Sequence, residues 1–442
     1  MRVDRKLGYA LALVGVLSLP SVANAQLQLF DRSANEGPGI KTGRLVLHPG
    51  LSLEGGYDTN VFLADQNEGG SFILRLTGYL DVATEPPQRQ REGEANKPVQ
   101  QKIVFRGGVG VRYYQYFDDR VDPNAAADAH INFAYNPSEV FTLEVQDMFL
   151  RTIRPFTNAS TPDGPTTSYG RNINRASIDF VGRTKSQVLE GRLGYTNVFE
   201  FFDSDLFQYG NSITHRVPAQ LSWSFFPNSA LIYRVNYENQ QYDETEVAAS
   251  STLLLDSNRV RTDFGYNGAL TERLSMTALI GYTAGFYAFA DDFDGLVARV
   301  DFRWQPRPTI EMLAGYDRNF RPSFIGNYYQ SNRLFIESTF VVAGALRLGV
   351  DGWVSFDKSG LALAPDGTLL GDQPYREDIR VHAGIIGEYR FRSWLSLIGR
   401  VGYLADFTDF EYVGTQPLLE PAPGRVWVSK PVTGLSIRQA AP

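Results

Sequence analysis

The stretch Leu296-Val297-Ala298-Arg299-Val300-Asp301-Phe302-Arg303-Trp304 decides how this chain is read. Its even positions are Leu, Ala, Val, Phe and Trp, and its odd positions are Val, Arg, Asp and Arg. Successive side chains of a β-strand point to opposite faces, so this is a strand with one greasy face and one charged face. The same reading holds on either side of it. Ile379, Val381, Ala383, Ile385, Gly387, Tyr389 and Phe391 alternate with Arg380, His382, Gly384, Glu388 and Arg390. Val260, Thr262, Phe264 and Tyr266 alternate with Arg261 and Asp263, and Leu231, Tyr233, Val235 and Tyr237 with Arg234, Asn236 and Glu238.

Between residues 44 and 438 about eighteen such segments can be marked, with sixteen as the alternative count. They include 128–136, 343–357 and a last one at 424–438. Their connections take turns in length. Asn136-Pro137-Ser138, Thr184-Lys185-Ser186, Pro227-Asn228, Thr271-Glu272, Pro306-Arg307 and Arg392-Ser393 are short and made of turn formers. The connections 59–70, 153–173, 243–257, 358–376 and 408–423 are long and polar. Short turns at one end and long loops at the other are the mark of a transmembrane antiparallel β-barrel with periplasmic turns and extracellular loops. A soluble sandwich or propeller would also alternate, but it would not explain that rhythm, and no blade-like repeat is visible. The segment 84–100 is long where a short turn is expected, and reads as an insertion or a plug inside the barrel.

Composition agrees. The chain has 442 residues, 41 glycines, 29 Phe, 23 Tyr, 5 Trp and no cysteine, with a net charge of -7. The absent cysteine excludes disulfides and thiolate metal sites. The acidic balance argues against nucleic acid as a partner. Residues 1–25 read as a cleaved signal peptide: Arg2, Arg5 and Lys6, then an apolar run to Leu19, then the small-x-small site Ala23-Asn24-Ala25. Residues 26–43 form a short periplasmic segment, 44–438 the barrel and 439–442 a tail. Aromatic girdles are expected from Tyr113, Tyr114, Tyr116 and Phe117, from Phe199, Phe201 and Phe202, and from Phe286, Tyr287 and Phe289 at one end. Trp223, Phe225, Phe226, Trp304 and Trp394 supply the other.

Alternation assigns a set of charged residues to the inner, pore-lining face. The basic ones are Arg75, Arg106, Arg112, Arg175, Arg192, Arg216, Arg234, Arg261, Arg299, Arg303, Arg333, Arg347, Arg380, Arg390 and Arg400. The acidic ones are Glu144, Asp179, Glu190, Glu238, Asp263, Asp301, Glu337, Asp351 and Glu388. Two readings follow. Arginine presents a planar fork of donors to carboxylates and stacks on flat rings, so the face could favour anionic or hydroxyl-rich cargo. Alternatively each arginine braces the wall by pairing with a nearby Asp or Glu. A basic excess is the part that bracing leaves unexplained. A barrel of sixteen to eighteen strands is too wide for side chains to fill, so an aqueous conduit is expected.

Catalytic signals are weak. His48, His130, His215 and His382 fall on separate strands, and Gly50-Leu51-Ser52-Leu53 is followed by Glu54 rather than the glycine of a nucleophile elbow. Asp291, Asp292 and Asp294 read as a solvated acidic turn in preference to a calcium site. No enzyme activity, cofactor or metal is expected.

The tract Leu47-His48-Pro49-Gly50-Leu51-Ser52-Leu53-Glu54-Gly55-Gly56-Tyr57-Asp58-Thr59-Asn60-Val61-Phe62, with the paired strands that follow, resembles the β-barrel porin 2 family of outer-membrane proteins. The resemblance implies a barrel in the bacterial outer membrane that secretes an exopolysaccharide with a periplasmic polysaccharide-export protein. Two alternatives stand beside it: a passive porin for small anions, and a loop-presenting scaffold or adhesin with a plugged lumen. One departure concerns the end of the chain, which closes on Gln439-Ala440-Ala441-Pro442 rather than on an aromatic. Pro431 lacks a ladder donor, so a bulge or an early strand end is expected there.

Overall fold

The computed structural model describes residues 39–59, 70–84, 101–118, 123–152, 170–203, 210–242, 256–287, 292–322, 328–360, 376–392 and 394–408, and the backbone of 426–440. The signal peptide, the insertion at 85–100 and the greater part of each long loop lie outside them.

The described chain is all β. The strands are β1 (Ile40–Thr42), β2 (Leu45–Asp58), β3 (Ser71–Thr84), β4 (Ile103–Tyr116), β5 (Asn124–Ser138), β6 (Phe141–Thr152), β7 (Arg171–Arg183), β8 (Leu189–Phe202) and β9 (Ser212–Phe226). There follow β10 (Ser229–Tyr242), β11 (Ser257–Ala269), β12 (Leu274–Tyr287), β13 (Phe293–Arg307), β14 (Ile310–Pro322), β15 (Tyr328–Val342), β16 (Leu346–Ser359), β17 (Arg376–Arg392), β18 (Leu395–Thr408) and β19 (Val426–Ala440). From β2 to β19 each strand pairs antiparallel with the next, giving the eighteen long strands expected. β19 then pairs with β2, from Thr433–Tyr57 to Ala440–Gly50. Every long strand therefore has two neighbours. In a hydrocarbon medium an unpaired edge N–H or C=O costs several kcal/mol, which is why a sheet in a membrane returns on itself.

Alternation sets the two faces. Leu296, Phe302, Trp304, Ile280, Phe264, Leu334, Val350 and Ile385 are all well exposed and occupy one face. This is the inverse of a soluble core, and it is what an outer wall facing lipid requires. Trp223, Phe226, Trp304, Tyr389 and Phe391 are exposed beside the short turns, and Phe72, Tyr113, Phe117, Phe199 and Phe286 at the opposite end. Not every expected girdle residue joins them. Tyr114 and Phe202 are buried, because the same period of two turns them inward.

Several boundaries differ from the sequence reading, three of them with a clear cause. β5 begins at Asn124, not 128, because Ala125-Ala126-Ala127 carries no alternation to read. β16 begins at Leu346, because Ala343 and Gly344 adopt left-handed φ values of 51° and 72° in a tight turn. β19 extends to Ala440, so the tail is shorter than 439–442. The bulge expected at Pro431 is present: Gly402 pairs with Val432 and Leu404 with Ser429, leaving Lys430 and Pro431 opposite Tyr403.

The segment 26–43 contains an unexpected strand. β1 folds back on β2 through a two-residue turn led by Gly43 at φ 63°, pairing Ile40–Leu47, Lys41–Val46 and Thr42–Leu45. β3 already occupies the other edge of β2. β1 therefore covers the part of the β2 edge below Gly50 that β19 does not reach.

The wall is locally modified between β13 and β14. Their ladder stops at Ala298–Arg318, so Phe293–Val297 has no β14 neighbour. Arg318 Nε donates instead to the Leu296 carbonyl at 2.9 Å. Phe320 stacks on Phe293 with centroids 5.1 Å apart, Tyr328 packs on both, and Val297 is fully buried beneath them.

Candidate functional site: the charged inner face

The strand registers put all 24 sequence-assigned charged residues on one face, opposite the exposed apolar wall. Arg234 faces Gln220 and Asp263, Arg299 faces Leu279 and Asp317, and Arg380 faces Ser355 and Asp406. Most of them are paired. Arg192 bridges Glu144 at 2.8 Å and Asp179 at 3.8 Å. Glu238 sits between Arg216 at 2.6 Å and Arg259 at 2.5 Å. Arg261–Asp263 and Arg299–Asp301 are i, i+2 pairs on single strands, each at 2.8 Å. Arg75 pairs with Glu54, Arg112 with Asp128 at 2.6 Å, and Glu190 with Arg183 at 2.7 Å. Arg303 reaches Glu311 at 3.3 Å and Arg390 reaches Glu388 at 3.4 Å. Asp351 holds His382 at 2.6 Å and Arg400 at 3.8 Å. Arg380 pairs with Asp357 at 2.6 Å and also donates to the Tyr329 hydroxyl. Arg106 lies on this face between Ala83 and Asn132.

The bracing interpretation therefore accounts for most of the set, and the basic excess is smaller than the sequence reading gives. The registers add Glu54, Asp58, Asp81, Asp128, Glu200, Glu311, Asp317, Asp357, Asp378 and Asp406 to the face, but only Arg171, Arg183, Arg259, Arg321 and Arg376. Counting these, β2 to β18 present twenty arginines against nineteen carboxylates. Lys41 of β1, opposite Val46, and Arg438 of β19, opposite Ser52, share the face by register, so the basic excess narrows from six to three. Many of the added acids stand at strand ends or in small-residue stretches, where alternation gives little signal. Cross-strand register finds them; sequence order does not.

Among the described residues, a few arginines of this wall have no ion pair. Arg175 lies beside its like charge Arg216, and its Nε has no hydrogen-bond partner. Arg234 binds only the neutral Gln220, at 2.8 Å. Arg347 faces Glu388 across the β16–β17 ladder without pairing to it, and Glu337 is also without an ion pair.

Arg333 is the most developed case. Phe335, Trp353 and His382 are direct register partners on β15, β16 and β17, so three rings stand side by side on the inner face. Trp353 and His382 stack with centroids 5.7 Å apart. The Arg333 guanidinium lies 4.9 Å from the Trp353 ring centroid and 5.9 Å from that of Phe335, and its Nε has no partner. Arg380 lies 5.9 Å from the same indole. A half-buried indole flanked by guanidinium groups suits a polyhydroxylated or carboxylated ring: stacking on the flat faces, hydrogen bonds from the forks.

The acidic turn behaves as a turn. Asp292 accepts the Tyr287 N–H at 2.9 Å and Asp294 accepts the Tyr282 hydroxyl, so both carboxylates serve the chain's own donors; Asp291 lies outside the described residues. Among the described residues there is no cluster of three His, Asp or Glu side chains that could hold a metal ion.

No protein-family model matches the chain, and no curated protein matches it in sequence. Solved structures do. The siderophore receptor PirA from Pseudomonas aeruginosa is 10% identical, with 91% of this chain and 81% of that chain covered and a TM-score of 0.45. The FrpB iron transporter from Neisseria meningitidis (F3-3 variant) is 10% identical, covering 93% and 83% at 0.45. OccAB4 from Acinetobacter baumannii is 10% identical, covering 92% and 99% at 0.43. What this chain is follows from its own geometry: eighteen antiparallel strands without a free edge, an apolar exposed wall, two aromatic belts and a charged interior make it an outer-membrane-type β-barrel.

Proposed function

We propose that the barrel is a conduit for export of a polysaccharide across the bacterial outer membrane, working with a periplasmic polysaccharide-export partner. The observation that carries this reading is the ring row Phe335, Trp353, His382 with Arg333 lying against it and in no ion pair among the described residues. A wall whose charges are mostly paired also suits a polymer that must slide. Strong net charge would hold an anionic chain in place, whereas paired charges and scattered free donors offer many weak, exchangeable contacts. The N-terminal tract Leu47–Phe62 adds the resemblance to the β-barrel porin 2 family, which implies the same role. Deletion of the protein is expected to abolish surface polysaccharide while the polymer is still made inside the cell. Undiminished secretion without the protein would refute the export role.

A second reading, a diffusion porin for small anions, is favoured by the unpaired Arg175 beside Arg216. Planar-bilayer recordings separate the two. A steadily open, anion-selective pore supports diffusion, and a pore silent until the periplasmic partner is added supports export.

A further inference from the structure

The upper part of the β13–β14 seam is unzipped, and side chains hold it so. β12 stays paired to β13 up to Phe293 and β14 to β15 up to Pro322, while the ladder between β13 and β14 ends at Ala298–Arg318. One more hydrogen-bonded rung would join Leu296 to Phe320. The even-numbered residues of both strands turn their N–H and C=O groups to this seam, since Gln305 N–H goes the other way to Arg273 and the Thr309 carbonyl accepts Val341 N–H from β15. Three groups of the missing rung are taken by side chains. The Leu296 carbonyl accepts Arg318 Nε at 2.9 Å, the Phe320 N–H donates to Asn319 Oδ1 at 2.9 Å, and the Phe320 carbonyl accepts Arg259 at 3.3 Å. A merely frayed strand end would leave these groups to water.

Rings fill the gap from both sides of the wall. Phe293 and Val297 stand at inner-face positions, in step with Arg299 and Asp301. Phe320 and Tyr328 stand at outer-face positions, in step with Arg318 on β14 and exposed Leu334 on β15. Phe320 nevertheless stacks on Phe293 with centroids 5.1 Å apart and lies over Gly295, where a Cβ would stand 2.8 Å from its Cζ. Inner and outer side chains meet in this way only where no rung separates them. Phe293, Val297, Phe320 and Tyr328 thus make a continuous apolar path through the wall.

The lipid-side mouth of that path carries a cation. Arg318 is on the outer face, opposite Ala298 and Asn332. Its Nε reaches Leu296, two residues nearer to the extracellular end than Ala298, so the side chain leans upward. Leu296 and Asn332 take two of its five N–H groups, and among the described residues it has no ion pair. Asp294, on the same edge of β13, is turned to the Tyr282 hydroxyl. Arg318 lies six residues above Met312, the partner of the girdle residue Trp304. At about 3.3 Å per residue and a tilt near 45° that is about 14 Å, so the unzipped part lies in the outer half of the ~25 Å apolar band. A guanidinium facing acyl chains is destabilising, and an anionic head group would supply its partner.

We propose that the β13–β14 seam is a lateral portal for an anionic amphiphile of the outer leaflet. Arg318 holds its phosphate or carboxylate head, and its acyl chain takes the apolar path by displacing the Phe293–Phe320 stack. A free anion would use the head-group contact alone; the path through the wall is what calls for a chain. The proposal needs the barrel and its membrane, and does not rest on the export reading.

Octadecyl phosphate is the probe, with native mass spectrometry of the full-length protein in a neutral detergent as the readout. It should bind saturably, one molecule per chain, and inorganic phosphate in excess should not displace it. Arg318→Gln should weaken binding about 10-fold or more, with Arg318→Lys in between. Heat-modifiable gel mobility confirms that each variant is folded. On the unaltered protein in phosphatidylcholine bilayers, an alkyl phosphate with a photoreactive group in mid-chain should label Phe293, Val297 or Phe320 in preference to Ile385 on the far wall. Absent binding, undiminished binding by folded Arg318→Gln, displacement by inorganic phosphate, or label spread evenly around the barrel would each overturn the proposal.

Discussion

The Arg333 guanidinium lies 4.9 Å from the Trp353 ring centroid and, among the described residues, has no carboxylate within salt-bridge distance, in a wall where most arginines have one. Its attraction to the indole is worth about 0.5–2 kcal/mol, and its free N–H groups remain to be satisfied by water or cargo. Arg333→Ala and Trp353→Ala should each weaken block of the pore by cognate oligosaccharide about 2- to 30-fold in single-channel recordings. Arg333→Lys should fall between, because an ammonium keeps the charge and loses the planar fork. Wild-type block by all three variants would remove Arg333 and Trp353 from the cargo path.

Arg376 and Asp378 form a different kind of pair. They stand two residues apart on β17, 2.8 Å from each other, with both side chains 1% exposed. Arg376 also lies 3.9 Å from Asp406. Removing one member of such a buried pair costs about 3–5 kcal/mol, while replacing both with apolar groups costs far less. Arg376→Ala or Asp378→Ala should lower the urea midpoint of unfolding in phospholipid micelles strongly. The double variant Arg376→Met, Asp378→Leu should recover most of it. If the double variant is as unstable as the singles, the pair contributes through shape and not through charge.

The β15–β16 turn carries a local misfit. Ala343 and Gly344 both have positive φ, and the Ala345 N–H returns to the Val342 carbonyl at 3.3 Å. This two-residue arrangement favours Asn-Gly, and an alanine held left-handed costs about 1–2 kcal/mol. Ala343→Asn should therefore stabilise the barrel by about 0.5–1 kcal/mol, and Ala343→Val should destabilise it, both read from the same urea titration. A stabilising valine would show that the turn relaxes to another geometry.

Why the fold was legible and the site only in part follows from the same residues. Lipid outside and water inside force a period of two along every strand, so Leu296–Trp304 reveals its strand and its faces without a partner. Charge balance is not local in that sense. Glu54 and Arg75, or Asp357 and Arg380, are far apart in sequence and meet only through register. β1 escaped notice because three residues, Ile40-Lys41-Thr42, are too few to show a period.

That short strand makes the last prediction. β19 meets β2 over eight residue pairs, ending at Gly50, and below this the β2 edge is covered by β1 alone. The covering depends on Gly43, whose φ of 63° is open to glycine and strained for any side chain. No side chain crowds the place where a Cβ would stand, so a substitution acts through the backbone and not through packing. Gly43→Val should release β1 and expose the N–H and C=O groups of Leu45 and Leu47, which bond to β1, at the closing seam. Hydrogen exchange should then accelerate at Leu45 and Leu47 by 10-fold or more, the equivalent of about 1.4 kcal/mol, while Val46, whose N–H faces β3, and amides in β10–β12 stay protected. Exchange that is unchanged at Leu47 would mean that the seam closes without β1, and exchange that rises throughout the barrel would make β1 part of the global fold.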